Sequence, residues 1–214
     1  MKHLNYKNFK IGLLFSLISA VTILIFSFSY GKNNFFLLLN NDLGIFADYL
    51  FVTFTYLGDG LLWIPLVFYF IFSGRQKLLP FLISCFVLIT IFTQGCKYLI
   101  VPDELRPLKA LTGAIIHKVS GVTVNTTASF PSGHTATAFV FYLIFCLLIK
   151  NNWWVLVGFL YAIGVGYSRI YLAQHFPLDV GAGIIVAAVS VLLSIVIQNR
   201  LEKRGLKKLN ASLS

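Results

Sequence analysis

The sequence predicts an all-α integral membrane bundle of six transmembrane helices with both termini in the cytoplasm, and three observations carry that prediction. Hydrophobic residues make up 58% of the 214 residues against 11% charged, and the mean hydropathy is +0.84, far outside the range of soluble domains. Six separate apolar segments approach or reach the roughly 20 residues that a helix needs to cross a bilayer while pairing its own backbone groups. The basic residues, finally, gather on one side of those segments.

Taken in order, the first span is expected at residues 11–30. Lys2, Lys7 and Lys10 precede it like the basic region of a signal peptide, but the apolar run is long and no small-residue cleavage site follows, so it reads as an uncleaved span. Residues 32–48, "KNNFFLLLNNDLGIFAD", mix apolar and polar positions and predict an amphipathic stretch on the outer surface. The second and third spans are expected at 49–72 and 78–100. Residues 101–130 form the longest polar connection, which in a compact bundle is more often functional than idle. The fourth and fifth spans, 135–149 and 153–167, are short and call for extension by flanking residues, and the sixth covers 178–198. The remainder, 200–214, reads as a basic cytoplasmic tail of one membrane-embedded domain.

With the N-terminus inside, the inner segments hold eleven basic residues against one acid, and the outer ones six against six. The net charge of +10 is then cytoplasmic and suits lipid headgroups; it does not call for nucleic acid. Cys85, Cys96 and Cys146 all fall in apolar runs, so no disulfide framework is expected.

On this topology three groups of polar residues reach the outer face. The stretch "SFPSGHTATAF", residues 129–139, places Ser132 where an N-cap would stand and Gly133 where the backbone can approach a ligand. The first free amides of the fourth helix then form an anion site, and His134 in its first turn can offer a proton to what the anion is attached to. In "SRIYLAQHFPLD" Pro177 suits the first turn of the sixth helix, and Asp179 follows His175 by four residues. A carboxylate at that reach can hold one ring nitrogen and leave the other free as a nucleophile, although an interfacial hydrogen bond would look the same. Lys97 and Arg106, in "KYLIVPDELRP", and Arg169 add three positive charges for an anion of roughly two negative charges. Asp59, in "YLGDG", fits a helix cap as well as a functional carboxylate and is left outside the expected site.

These residues resemble the type 2 phosphatidic acid phosphatase superfamily, the membrane lipid phosphatases related to vanadium haloperoxidases. The family's three elements appear as Lys97 with Arg106-Pro107, as Pro131-Ser132-Gly133-His134, and as Ser168-Arg169 with His175 and Asp179, over roughly residues 55–198. The second and third match residue for residue; the first has eight residues between lysine and arginine where six is commonest. The resemblance implies that His175 attacks phosphorus to form a phosphohistidine, with Asp179 orienting it. It implies that His134 protonates the leaving oxygen and later activates water. Lys97, Arg106, Ser132, Gly133 and Arg169 would bind the phosphoryl oxygens, with no metal or other cofactor. The expected function is hydrolysis of a lipid phosphate, such as undecaprenyl diphosphate, phosphatidic acid, phosphatidylglycerophosphate or lipid A, at the outer face of a bacterial-type cytoplasmic membrane. Transfer of the phosphoryl group to a second lipid, or noncatalytic lipid binding or transport, are the alternatives. Partners other than the lipid substrate and membrane lipids, and the oligomeric state, are not legible.

Overall fold

The computed structural model describes the backbone of residues 4–213 and the side chains of residues 4–205. Lys2, expected in the basic flank of the first span, and the side chains of Lys207 and Lys208 in the tail lie outside the described residues. Nine α-helices occur among the described residues, and no strand does.

Helix α1 (Tyr6–Ser29) begins at Asn5, whose side chain accepts a bond from Asn8 N and donates one to the Ile149 carbonyl. Helix α2 (Lys32–Leu39) is a short helix whose Phe35 and Phe36 are buried, so it packs onto the bundle by one face as an amphipathic stretch should. The chain then returns to helix already at Ile45, so the second apolar segment starts earlier than the hydropathy pattern predicts. It is also broken: α3 (Ile45–Tyr56) and the pair formed by a 3-10 turn (Gly60–Leu62) and α4 (Trp63–Phe72) meet at a bend of 49°.

Helix α5 (Leu79–Gly95) continues into a π-helical turn, Cys96–Ile100, that carries Lys97. A long connection containing the four-residue α6 (Pro107–Ala110) leads to α7 (Gly133–Leu148). Helix α8 (Trp153–Tyr171) runs four residues past its expected end, because Ser168, Arg169, Ile170 and Tyr171 are buried against neighbouring elements instead of facing water. Helix α9 (Pro177–Leu213) extends through the region expected to be a tail; Arg200, Lys203 and Arg204 lie exposed on it.

Among the described residues, four helices are long and apolar enough to cross a membrane: Tyr6–Ser29, Gln76–Ile100, Trp153–Tyr171 and Pro177–Gly205. The bent pair makes a fifth, and Gly133–Leu148 is apolar but shorter. Helix α7 is the core of the bundle, since twelve of its side chains are buried, among them Phe139, Tyr142 and Leu147. The outward faces of α1, α5, α8 and α9 instead expose Leu14, Ile18, Ile25, Ile83, Ile91, Leu160 and Leu192. An apolar surface of that extent belongs in lipid, and with the spanning helices it makes this an integral membrane protein. Cys85 and Cys146 are buried and all three cysteines are free thiols.

Candidate active site

The C-terminal ends of α5 and α8, the N-terminal ends of α7 and α9, and the connection between α5 and α7 meet at one end of the bundle. The expected site residues come from those five places and, for His175, from the short link between α8 and α9. Proline opens α9 at its first position, where no amide partner is lost, and Asp179 falls in the first turn. Asp179 is fully buried, and its Oδ2 is the hub of the site. It accepts from Ser129 Oγ at 2.5 Å and Phe176 N at 3.0 Å, and it faces His175 Nδ1 at 3.3 Å. Oδ1 has no hydrogen-bond partner among the described residues. With Nδ1 engaged by the carboxylate, Nε2 of His175 keeps the lone pair. His175 itself is 2% exposed, and Arg106, Arg169, Lys97 and His134 all act on its charge. Burial, then these cations, hold its imidazole well below the usual histidine range, so the ring is neutral at physiological pH.

Ser132 caps α7 as its position predicts. Its Oγ accepts from Thr135 Oγ1 at 2.9 Å and from Thr135 N at 3.4 Å, while its own amide donates to the Asp179 carbonyl at 3.0 Å. The start of α7 is thereby fastened to the start of α9. Gly183 permits that contact, because a Cβ on it would lie 2.7 Å from the Ser132 carbonyl oxygen. Around Gly133 the situation is reversed: no atom lies within 4 Å of where its Cβ would be, and Gly133, His134 and Lys97 line one cavity of about 250 Å³. This is open space at a helix N-terminus, the setting in which backbone amides bind anions.

The three cations are held in different ways. Arg106 is 7% exposed and clamped: Nε donates to the Thr127 carbonyl at 2.9 Å, and Nη1 donates to the Gln174 carbonyl at 3.1 Å and to Gln174 Oε1 at 3.0 Å. Gln174 in turn donates to the Thr123 carbonyl at 2.8 Å. Arg169, 6% exposed, donates through Nη1 to Thr55 Oγ1, while its buried Nε has no protein partner. Lys97 and Arg106 border a common cavity of about 470 Å³ with Asn125 to Ala128, in spite of the longer spacing between them. The π turn under Lys97 is a local rewinding of the kind that often marks functional sites.

All eight expected residues thus lie in this region of the bundle. Ser129, Gln174 and Thr55 are additions that sequence reasoning did not select, and Asp59, left outside the expected site, stands 3.8 Å from His134 Nε2. Ser129 and Gln174 stand inside the two quoted stretches, three residues before Ser132 and one before His175, and adjacency was the only signal they gave. Lys109 and Lys118 are exposed, outside the cluster.

No acidic spacing in the sequence predicts a metal site, yet Asp42, Asp48 and His117 bring ligand atoms within 4.8 Å of one another. Asp48 Oδ1 is occupied there by the Tyr171 hydroxyl at 2.6 Å and faces His117 Nε2 at 3.2 Å. Asn40 reinforces the same junction, accepting from His117 N and donating to the Ile170 and Tyr171 carbonyls. The set fastens the long connection to α3 and to the end of α8.

A buried histidine-carboxylate pair beside three fixed cations and open helix amides can bind a phosphoryl group and deliver a nitrogen nucleophile to it. The sequence pattern of the PAP2 superfamily matches residues 78–203, more than half of the chain. An undecaprenyl-diphosphatase of Sulfolobus acidocaldarius is 29% identical over 143 residues, 66% of this chain and 66% of that protein, which is just under two thirds of its length. A lipid A 4'-phosphatase of Bacteroides thetaiotaomicron is 26% identical over 168 residues, 74% of this chain and 73% of the relative. The crystal structure of LpxE from Aquifex aeolicus superposes with a TM-score of 0.64 at 29% identity, over 75% of this chain and 92% of that one.

Proposed function

The chain belongs to the PAP2 superfamily, and on that premise we propose that it hydrolyses a phosphate monoester or diphosphate carried by a membrane lipid. The observation that carries this reading is the pairing of His175 Nδ1 with the buried Asp179 carboxylate among Lys97, Arg106 and Arg169. The relatives, named for undecaprenyl diphosphate and for lipid A, support a lipid-linked phosphate as the substrate class.

In the first step Nε2 of His175 attacks phosphorus, and the bond from phosphorus to the leaving oxygen breaks. His134 gives that oxygen its proton. Asp179 stabilises the positive charge that develops on the His175 ring through Nδ1–H. Lys97, Arg106, Arg169, the Gly133 amide and Ser132 Oγ–H stabilise the equatorial oxygens, whose charge grows in the transition state. In the second step water attacks the phosphohistidine, His134 takes the water proton, the nitrogen–phosphorus bond breaks, and inorganic phosphate leaves.

Six spans with both termini cytoplasmic complete the proposal, α7 being the short one. The charge asymmetry of the loops supports this orientation, which puts the site at the outer face of a bacterial-type cytoplasmic membrane. The lipid tail then stays in the bilayer while its headgroup enters the site. The test is phosphate release from those lipids by the purified chain in detergent containing EDTA, beside His175→Ala. Release that persists in EDTA and disappears in the variant supports the proposal; equal release by both, or none from any lipid by folded protein, overturns it.

A further inference from the structure

Helices α3 and α4 pass as one span only when taken together, because the chain bends by 49° between Tyr56 and Gly60. A break inside a span leaves backbone groups that hydrocarbon cannot pair. Here they are provided for. The Leu57 carbonyl accepts from the Tyr161 hydroxyl at 2.7 Å, and Asp59 Oδ1 accepts from Leu61 N at 2.8 Å, capping the turn that resumes the span. Gly58 fixes where the break lies. A Cβ on Gly58 would stand 2.4 Å from Val165 Cγ1, 3.2 Å from the His134 carbonyl oxygen and 3.4 Å from His134 Cβ, so only glycine lets the break sit directly against His134.

The remaining oxygen, Asp59 Oδ2, stands 3.8 Å from His134 Nε2, an ion-pair distance. The other charges that act on His134 are Lys97 from α5, Arg106 from the long connection and Arg169 from α8, with His175 also facing it. Burial and three cations oppose a positive imidazole, and a carboxylate beside the ring favours one. A general acid must carry its proton before the leaving group departs. The surroundings of His134 therefore need a counter-charge, and Asp59 is the carboxylate the broken span brings to it.

We propose that Asp59 is a positioning residue for His134: its carboxylate fixes the imidazole and favours its charged form, so that one ring N–H stays with Asp59 while the other gives its proton to the leaving oxygen. The inference rests on the phosphatase reading above and assigns a role within it. It also assigns a purpose to the bend, which sets an acidic residue against the histidine at the start of α7.

The test compares the full chain with Asp59→Asn, Asp59→Glu and His134→Gln on two lipids of the same tail, an alkyl phosphate and a nitrophenyl phosphate. Nitrophenolate leaves without being protonated, whereas an alkoxide does not, so only the nitrophenyl phosphate tolerates loss of the acid. Asp59→Asn is expected to lower kcat on the alkyl phosphate by at least about tenfold with KM nearly unchanged, and to lower kcat on the nitrophenyl phosphate by less than about threefold. His134→Gln, which also removes the base of the second step, should show the same selectivity in kcat/KM, which reads the first step alone, and Asp59→Glu should recover most of the loss. Equal losses on both lipids, or no loss on either, overturn the inference while leaving the phosphatase reading intact. Should the wild type hydrolyse neither lipid, that reading falls. Asp59 is then judged by nitrogen-15 spectra of labelled imidazoles at mildly acid pH. A weaker imidazolium signal from His134 in Asp59→Asn upholds the pairing, and identical spectra overturn it.

Discussion

Asp179 and His175 face each other at 3.3 Å in a place where neither side chain touches solvent to any extent, 0% and 2% exposed respectively. A carboxylate in such a place would be costly unless hydrogen-bonded, and it is held by a hydroxyl and a backbone amide as well as by the imidazole. The pair is thus fixed before any substrate arrives, which is what the nucleophilic role proposed for His175 requires.

Ser129 is the sharpest test of that fixing. Its hydroxyl is the shortest contact of the carboxylate, at 2.5 Å, and both residues are fully buried. A hydrogen bond to a charged group is worth about 1.5–3 kcal/mol. Ser129→Ala should therefore lower kcat by roughly ten- to a hundredfold, with a small change in KM. Steady-state kinetics on a lipid phosphate checks both values.

Gln174 should act on binding instead of on the nucleophile. It holds Arg106 Nη1 through its side-chain oxygen at 3.0 Å as well as its backbone carbonyl, and removing the side chain leaves the guanidinium with fewer restraints. Gln174→Ala is expected to weaken inhibition by vanadate or phosphate by about tenfold, one charged hydrogen bond's worth. Inhibition constants at fixed pH provide the measurement.

The join between α7 and α9 depends on a missing side chain. In Gly183→Ala the new methyl group must be relieved of a 2.7 Å contact with the Ser132 backbone, which separates the two helix starts. Overpacking of this kind typically costs about 1–3 kcal/mol. The expected result is a lower unfolding temperature in detergent together with loss of turnover, whereas Gly205→Ala, which meets nothing within 4 Å, should change neither.

Acid should destabilise the fold through His175. Its pKa is lower in the folded chain than the unfolded value of about 6.5, because burial and Arg106, Arg169 and Lys97 oppose its charge. The neutral ring therefore contributes stability that is whole above that pH and is lost as the pH falls toward the folded value. Unfolding temperatures should fall between neutral and mildly acid pH in the wild type, and fall less steeply in His175→Gln.

Hydropathy makes the helices legible because a span must satisfy its backbone internally, and a long apolar run has few other uses. It gave only a local sign of the bend between Tyr56 and Gly60, since residues on both sides are apolar and only Gly58, Asp59 and Gly60 interrupt them. It could not reveal that α8 continues to Tyr171, because Ser168 and Arg169 look like an exit to water and are instead buried. In the site, His175 and Asp179 were legible because four residues on a helix start fix their relation. Asp59 was in view as a candidate carboxylate, with nothing in the sequence to say what it faces. Ser129, Gln174 and Thr55 were not, because each is an ordinary polar residue whose role comes from a contact that only the folded chain makes: Ser129 with Asp179 across 50 positions, Thr55 with Arg169 across 114.

The most direct measurement of the proposed chemistry is the stereochemical course at phosphorus. The wild-type chain would hydrolyse, in water enriched in oxygen-17, a lipid phosphorothioate made chiral at phosphorus with oxygen-18, and the configuration of the released thiophosphate would be determined. Attack by His175 followed by attack of water inverts phosphorus twice, so overall retention is predicted. Overall inversion would mean that water displaces the lipid directly, and would contradict a phosphohistidine at His175.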